Sequence, residues 1–529
     1  MSDVALGNGA ANEAAIISVY DRSGVAELAR ALAAQGIAIY ATGGTRAHLL
    51  AHGVDALDIG TLTGFPALFD GRVKTLHPRV FGGILADRRN STHRSEAERH
   101  GVPAITTVVV NLYPFETTVA REDATVDEAV EQIDVGGVSL IRAAGKNFEN
   151  VSVLSDPRQY AEFIAALPDG VGRDARRVLA MRAFERTAEY DAAIARYLEA
   201  GLLANTLPGS LALSMALAQP LRYGENPQER AAFYLPREAR LPEQLWGKAL
   251  SYNNLLDLDA TLQLLVRAPL GTGVDVGAQR AGQTRAAIVK HTVPCGVAER
   301  EGVADAVRTA LDADPVSAFG GIIAVDGTID LTAAESLGEF FLEIVAAPAF
   351  TDDALERLRR KKNLRIMRYE PALPARLAHD LRVRSALGGI LAEEDDPNAE
   401  SEAWTIVSER WPNQSEWRDL ILAWDVVRHV KSNGVTFVRD GVTRGICAGQ
   451  TNRVSAVRIA GERAGTHAHG AACASDGFFP FADGLEAAAA AGCSAVIAPG
   501  GSIRDAEVID AANARGIALV FSSHRYFLH

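Results

Sequence analysis

Apolar residues fall in short runs separated by stretches of helical spacing. Ala15-Ile16-Ile17-Ser18-Val19 is an apolar run of strand length, and Val25, Leu28, Ala29 and Leu32 then recur at the spacing of one helix face. Ser23 stands where it can cap that helix, and Gly36 where it can close it. The pattern predicts a second strand at residues 37–41, running into Thr42-Gly43-Gly44-Thr45, and a further one at 106–110, ending in Asn111-Leu112-Tyr113-Pro114-Phe115. Strands alternating with helices imply an α/β domain with a parallel sheet, which gathers ligands at the carboxyl ends of its strands.

A helical pattern from about residue 176 to 203 (Met181, Phe184, Ala188, Ala192, Ala195) runs into the breaker cluster Asn205-Thr206-Leu207-Pro208-Gly209. This predicts a domain boundary that separates residues 1–204 from 205–529. Strand-loop-helix units recur beyond it, at 286–289 before Lys290-His291 and at 495–497 before Pro499-Gly500-Gly501-Ser502. The acidic stretch 393–402 is expected to be an exposed break between two lobes of the second domain.

A chain of 529 residues is too long for one core, and 48% apolar with 22% charged residues is globular composition. The net charge of −13 disfavours nucleic acid and anionic membranes as partners and requires a local cationic pocket for any bound phosphate. Residues 1–12 lack a signal-peptide pattern and no apolar run approaches membrane-spanning length, so a cytoplasmic protein is expected. Four scattered cysteines do not make a disulfide scaffold.

Candidate chemistry concentrates in a few segments. In Thr42-Gly43-Gly44-Thr45, glycines allow close backbone approach and free N–H groups can meet an anion, although an ordinary tight turn reads equally well. Arg72-Val73-Lys74-Thr75-Leu76-His77-Pro78 sets two cations two residues apart. In extended chain both project to one face, Thr75 and His77 to the other, and an anion would complete the pair; a solvated basic strand is the plainer reading. Tyr113, Asp134 and Lys146 lie at predicted strand ends or beside glycines (Gln132-Ile133-Asp134-Val135-Gly136-Gly137 and Arg142-Ala143-Ala144-Gly145-Lys146-Asn147), a set able to move protons. Taken singly, Tyr113 reads as a core aromatic and Lys146 as a solvated helix residue. In the second half, Leu221-Arg222-Tyr223-Gly224-Glu225-Asn226-Pro227 sets a guanidinium by a phenol in a turn. Lys290-His291 follows a core-type strand, and the neighbouring lysine favours a neutral imidazole that can serve as a base. Pro294-Cys295 lacks the second cysteine of a deaminase zinc site, and His467-Ala468-His469 with Cys473 lacks a fourth ligand, so no metal is expected.

Taken in order, these segments resemble the AICAR formyltransferase/IMP cyclohydrolase family of bifunctional purine biosynthesis proteins (AICAR is 5-aminoimidazole-4-carboxamide ribonucleotide). The resemblance covers residues 18–529 and is strengthened by Leu62-Thr63-Gly64-Phe65-Pro66, Asp314-Pro315-Val316-Ser317-Ala318-Phe319-Gly320-Gly321 and the segments 475–481 and 499–505. It implies a methylglyoxal-synthase-like parallel-sheet domain followed by two cytidine-deaminase-like α/β lobes without zinc. The implied reactions are formyl transfer from 10-formyltetrahydrofolate to AICAR and dehydrative closure of formyl-AICAR to IMP, in a homodimer with a shared transferase site. Lys74, Tyr113, Asp134 and Lys146 match the cyclohydrolase catalytic positions, with Ser18, Arg22, Thr42, Gly43, Gly44, Thr45 and Arg72 around its ligand. Lys290 and His291 match the transferase catalytic pair. Its substrate-binding positions match Arg222, Tyr223, Asn254, Asp257, Phe319, Glu343, Asn433, Arg453, Phe478, Asp483, Arg525 and His529. The chain departs from the family's usual residues at Arg22, Ser23, Phe81, Gly145, Phe148, Gln228, Glu229, Val293, Cys447 and Ala482. Competing readings are a lyase acting on a triose phosphate, a non-enzymatic purine-nucleotide-binding protein with a decayed transferase half, and a cyclohydrolase whose weakened transferase half only binds purine nucleotides. The transferase-like segments count against the first; Lys74, Lys146, Lys290 and His291 count against the second.

Overall fold

The computed structural model describes residues 13–529 except 122, 201–206, 237–238, 268–281, 339, 380 and 395–401. The expected boundary at 204/205 lies outside the described residues, as does most of the expected break at 393–402. The chain divides into two compact units, Met1–Met215 and Ala216–His529. No described helix is long and apolar enough to cross a membrane.

In the first unit β1 (Glu13–Val19), β2 (Ala38–Ala41), β3 (Leu57–Asp58), β4 (Ala104–Asn111) and β5 (Ser152–Leu154) form one parallel sheet in the order β3-β2-β1-β4-β5. Residues 14–17 and 108–110 are buried, as expected for central strands covered on both faces. The Val25, Leu28, Ala29, Leu32 stripe of α1 (Val25–Ala34) is buried in the same core. Gly24, at φ 69°, begins that helix; Ser23 does not cap it but gives its N–H to the Asp21 carboxylate at 2.9 Å. Gly36, at φ 78°, closes it. Strand order reverses between β1 and β4, so their outgoing loops diverge and open a crevice. α2 (Gly43–Ala51) follows β2, and α3 (Gly136–Lys146) packs against β4 and α4 (Arg173–Ala200).

In the second unit β6 (Ala216–Leu221) and β7 (Ala231–Leu235) form a separate ribbon. β8 (Glu243–Trp246), β9 (Thr284–Lys290), β10 (Val293–Arg300), β11 (Ile322–Val325), β12 (Ile344–Ala347) and β13 (Arg365–Arg368) are half of a twelve-stranded sheet. After the ribbon of β14 (Arg382–Ala386) and β15 (Gly389–Glu393), β16 (Trp404–Ile406), β17 (Val435–Arg439), β18 (Val442–Cys447), β19 (Ala472–Ser475), β20 (Ala495–Pro499) and β21 (Ala518–Ser522) complete it. The order is β16-β21-β20-β19-β17-β18-β10-β9-β11-β12-β13-β8.

The halves repeat one connectivity: an outer strand, a hairpin, then three parallel strands joined by helices. They meet where β10 and β18 pair antiparallel at Ala298↔Val442, as a two-fold relation requires. α5 (Tyr252–Gln263) precedes the first hairpin and α6 (Val303–Ala313) follows it; α7 (Gln414–Val427) and α8 (Arg453–Ala464) stand in the same places in the second half. Gly296 and Gly445 let α6 and α8 rest on the sheet, since an added Cβ would lie 2.1 Å from the Ala310 carbonyl oxygen and 2.0 Å from that of Ala460. The antiparallel join brings the β9–β10 turn to the same sheet edge as the start of β17 and the ends of β18 and β19.

Candidate active sites

The first site lies where β1 and β4 end. Asn111 ties them together: Oδ1 accepts from the Tyr20 and Asp21 N–H groups at 2.7 and 2.9 Å, and Nδ2 donates to the Asp21 carbonyl at 2.8 Å. Thr42 is the N-cap residue of α2, and Gly43, Gly44 and Thr45 are its first turn. Ser18 and Thr42 share a hydroxyl hydrogen bond of 3.0 Å, and Thr45 Oγ1 bonds the Val19 N–H and carbonyl at 3.0 and 3.1 Å. Arg22 lies against the exposed Gly44, where an added Cβ would come 2.8 Å from its Nη2. A guanidinium beside a helix N-terminus suits an anion such as phosphate.

The expected extended geometry at Arg72 and Lys74 does not hold. Leu68 and Val73 bridge around the 3₁₀ turn Phe69–Gly71, and Arg72 is helical at φ −62°, ψ −31°, so the side chains do not alternate. Arg72 makes an exposed ion pair with Glu131. Lys74 turns back over Gly71 and acts electrostatically on Asp134. His77 caps the Pro78–Leu85 helix, its Nδ1 accepting from the Arg79 N–H at 3.2 Å.

Asp134 is the centre of this site. Its Oδ1 accepts from the Gly137 N–H at 2.7 Å, and its own N–H donates at 2.9 Å to the Tyr190 hydroxyl, which donates to the Gln132 carbonyl at 2.6 Å. Burial raises the Asp134 carboxyl above the ordinary range, and the Gly137 N–H and the Lys74 charge pull it partly back. Burial, then the Asp134 charge, raises the half-buried Tyr113 phenol. A carboxylate made more basic, an ammonium and a phenol that keeps its proton form a workable acid–base group. An added Cβ at Gly137 would lie 2.4 Å from Asp134 Oδ2, so a larger residue there would displace the carboxylate. Lys146 is exposed and ends α3, whose 11 residues at ~1.5 Å each hold it about 15 Å from the end that begins beside Asp134. The structure does not bring Lys146 to this cluster.

The second site centres on Lys290 and His291. β9 and β10 join through a two-residue turn, His291-Thr292, with φ 55° and 59°, the left-handed pair of a type I′ turn. A β-branched residue there costs ~1–2 kcal/mol. Asp257 on α5 offsets it: Oδ2 and Oδ1 accept from the His291 and Thr292 N–H groups at 3.3 and 2.7 Å. Lys290 Nζ donates to the Phe319 carbonyl at 2.7 Å. A cavity of about 660 Å³ opens below, lined by Lys290, His291, Cys295, Asp314, Arg444 and Arg463 among others. Burial, then the Asp314 charge, pushes the Cys295 thiol up to about 12.

Elsewhere in the second unit, Arg222 lies over the Tyr223 ring at 5.3 Å, as the sequence suggests. The exposed Phe319 ring meets Phe341 at 5.2 Å. Glu343 pairs with the buried Arg365 at 2.6 Å. Asn254 completes a capping box with Ser251 at the start of α5. At the second half's part of the edge, the Asn433 side chain donates to the Gln450 carbonyl at 2.7 Å. Arg453 pairs with Asp476, which is fully buried and also accepts from the Ser432 hydroxyl. Arg525 lies over Phe527 at 4.7 Å, and the His529 carbonyl accepts from Arg384. Phe478 is partly exposed, and Asp483 stands in the first turn of the Ala482–Ala491 helix. Asp476 and Asn111 are organising residues that the sequence does not single out as candidates. Asp476 is signalled only as a carboxylate ending an apolar strand, and Asn111 only as an amide ending one.

Residues 144–463 match the family model described as AICARFT/IMPCHase bienzyme, and residues 24–139 match the MGS-like domain. Three similar proteins are each called bifunctional purine biosynthesis protein PurH. That of Anoxybacillus flavithermus is 44% identical over 97% of this chain and 99% of its own. That of Desulfitobacterium hafniense is 45% identical over 98% and 100%, and that of Parasynechococcus marenigrum 46% identical over 97% and 99%. With a parallel-sheet unit at its start and a duplicated α/β unit after it, the chain belongs to the AICARFT/IMPCHase bienzyme family.

Proposed function

We propose that this chain carries out the last two steps of IMP synthesis at two separate sites, formyl transfer at Lys290-His291 and ring closure at Asp134. In the first step the AICAR amine bonds the formyl carbon of 10-formyltetrahydrofolate while the folate nitrogen leaves with a proton. The amine is a weak nucleophile, so His291 accepts its proton and Lys290 stabilises the charge that builds on the formyl oxygen. Lys290 has further N–H donors beyond the one given to Phe319. Arg222, Tyr223, Glu343, Asn433, Arg453, Phe478, Asp483, Arg525 and His529 surround the ligands, in a site shared across a homodimer.

In the second step the carboxamide nitrogen attacks the formyl carbon and water leaves. Asp134 takes the amide proton, Lys74 and Tyr113 steady the oxygen, and the α2 N-terminus with Arg22 and Ser18 holds the phosphate. Lys146 is given no part within one chain. The observation that carries the reading is the Asp134 carboxyl, raised by burial beside Lys74 and Tyr113 at the crevice of the parallel sheet. Purified protein given AICAR and 10-formyltetrahydrofolate is expected to produce IMP. Accumulation of formyl-AICAR would remove the ring-closing half of the proposal. Conversion of supplied formyl-AICAR alone would leave the chain a cyclohydrolase with a nucleotide-binding second unit.

A further inference from the structure

The two lobes repeat one device at their hairpin turns. In the first lobe Lys290 and Val293 pair across His291-Thr292; in the second, Arg439 and Val442 pair across Asp440-Gly441, with φ 55° and 68°. Each turn is held by a carboxylate from the helix that precedes the hairpin. Asp257 accepts from the His291 and Thr292 N–H groups at 3.3 and 2.7 Å, and Asp419 from those of Asp440 and Gly441 at 2.9 and 2.7 Å. Asp-Gly adopts this turn readily without help. His-Thr does not, because neither residue is glycine and Thr292 is β-branched. The clamp is therefore needed most where the turn carries His291.

We propose that Asp257 is a positioning residue for formyl transfer. It holds the His291 and Thr292 amides, keeps the turn left-handed, and so aims the imidazole and the adjoining Lys290 ammonium without contacting substrate. This rests on the transferase reading of Lys290 and His291. It differs from the expectation that Asp257 binds substrate, since both carboxylate oxygens are engaged by the turn.

Asp257→Asn keeps the shape but turns an NH2 group toward one of the two amides. Its formyltransferase kcat should fall about ten- to a hundredfold, as for a slightly misplaced catalytic group, with KM for AICAR changed less than about threefold. Adding Thr292→Gly, which supplies a residue at ease in the left-handed region, should recover about tenfold of that loss. Asp419→Asn, the same loss at an Asp-Gly turn, should leave kcat within about twofold. Thermal unfolding of each variant confirms that it is folded. A raised AICAR KM at unchanged kcat, or no recovery on adding Thr292→Gly, overturns the proposal. Should the wild-type protein transfer no formyl group, the transferase reading fails and structure decides the positioning. Then a crystal structure of Asp257→Asn that keeps His291 and Thr292 left-handed overturns it, and one in which the turn leaves that region upholds it.

Discussion

At Asp134 three influences compete: burial raises the carboxyl, while the Gly137 N–H and the Lys74 ammonium lower it, and burial wins. A carboxyl raised by folding adds stability below its unfolded value and loses that contribution as pH rises through the folded value. Asp134→Asn should therefore be no less stable than wild type in urea at pH 7, because Asn keeps an oxygen for the Gly137 N–H. Its cyclohydrolase kcat should fall ~10²–10⁴-fold. In wild type the rate with supplied formyl-AICAR should rise with pH along a limb above the ordinary carboxyl range, and removing the Lys74 charge with Lys74→Met should move that limb higher. Lys74, Tyr113 and Asp134 are legible in the sequence as chemistry and, through the family resemblance, as a group, but their geometry is not. Strand periodicity assigns Arg72 and Lys74 to one face, and the 3₁₀ turn before them separates the two. The departures at Phe81 and Phe148 pack against the first unit's core, which accounts for aromatic residues there.

At the scale of elements, strands and helices follow the apolar runs closely, whereas turns and close approaches do not. The β9–β10 hairpin carries no turn signal, because His-Thr is not a turn dipeptide and Asp257 supplies what the sequence lacks locally. The caps of α1 show the same limit, with Gly24 taking the place of Ser23. Gly296 and Gly445 are spaced like ordinary strand residues, yet each faces a helix carbonyl across the sheet. Either glycine changed to alanine forces α6 or α8 to lift, so each variant should lose ~1–3 kcal/mol in urea unfolding. Gly209→Ala is the comparison, since nothing lies within 4 Å of an added Cβ at that exposed loop position; it should change stability by less than about 0.5 kcal/mol.

At the scale of the molecule, the duplicated unit is held across its join by an ion pair network. Arg285 on β9 is fully buried and bonds Glu299 on β10 and Asp425 on α7, each at 2.7 Å. The Asp425 and Glu299 side chains are only 2% and 10% exposed, and Glu299 also bonds Arg267 at 3.2 Å, so Arg285→Met removes the buried guanidinium that the two carboxylates share. That should cost ~3–5 kcal/mol in urea unfolding at pH 7. An unchanged midpoint at pH 7 would mean that water or rearrangement replaces the guanidinium.

The sequence by itself determines the alternation of strands and helices, the parallel first sheet, the family, and the local segments that carry reactive groups. All of these are written in contiguous residues or short periods. The tertiary structure alone decides how those groups are arranged. It joins Ala298 to Val442, makes Lys74 rather than Arg72 the charge that faces Asp134, holds Lys146 at the far end of α3, and turns Asp257 toward a backbone. Each outcome depends on burial and on hydrogen bonds between residues distant in sequence. No local pattern encodes such contacts.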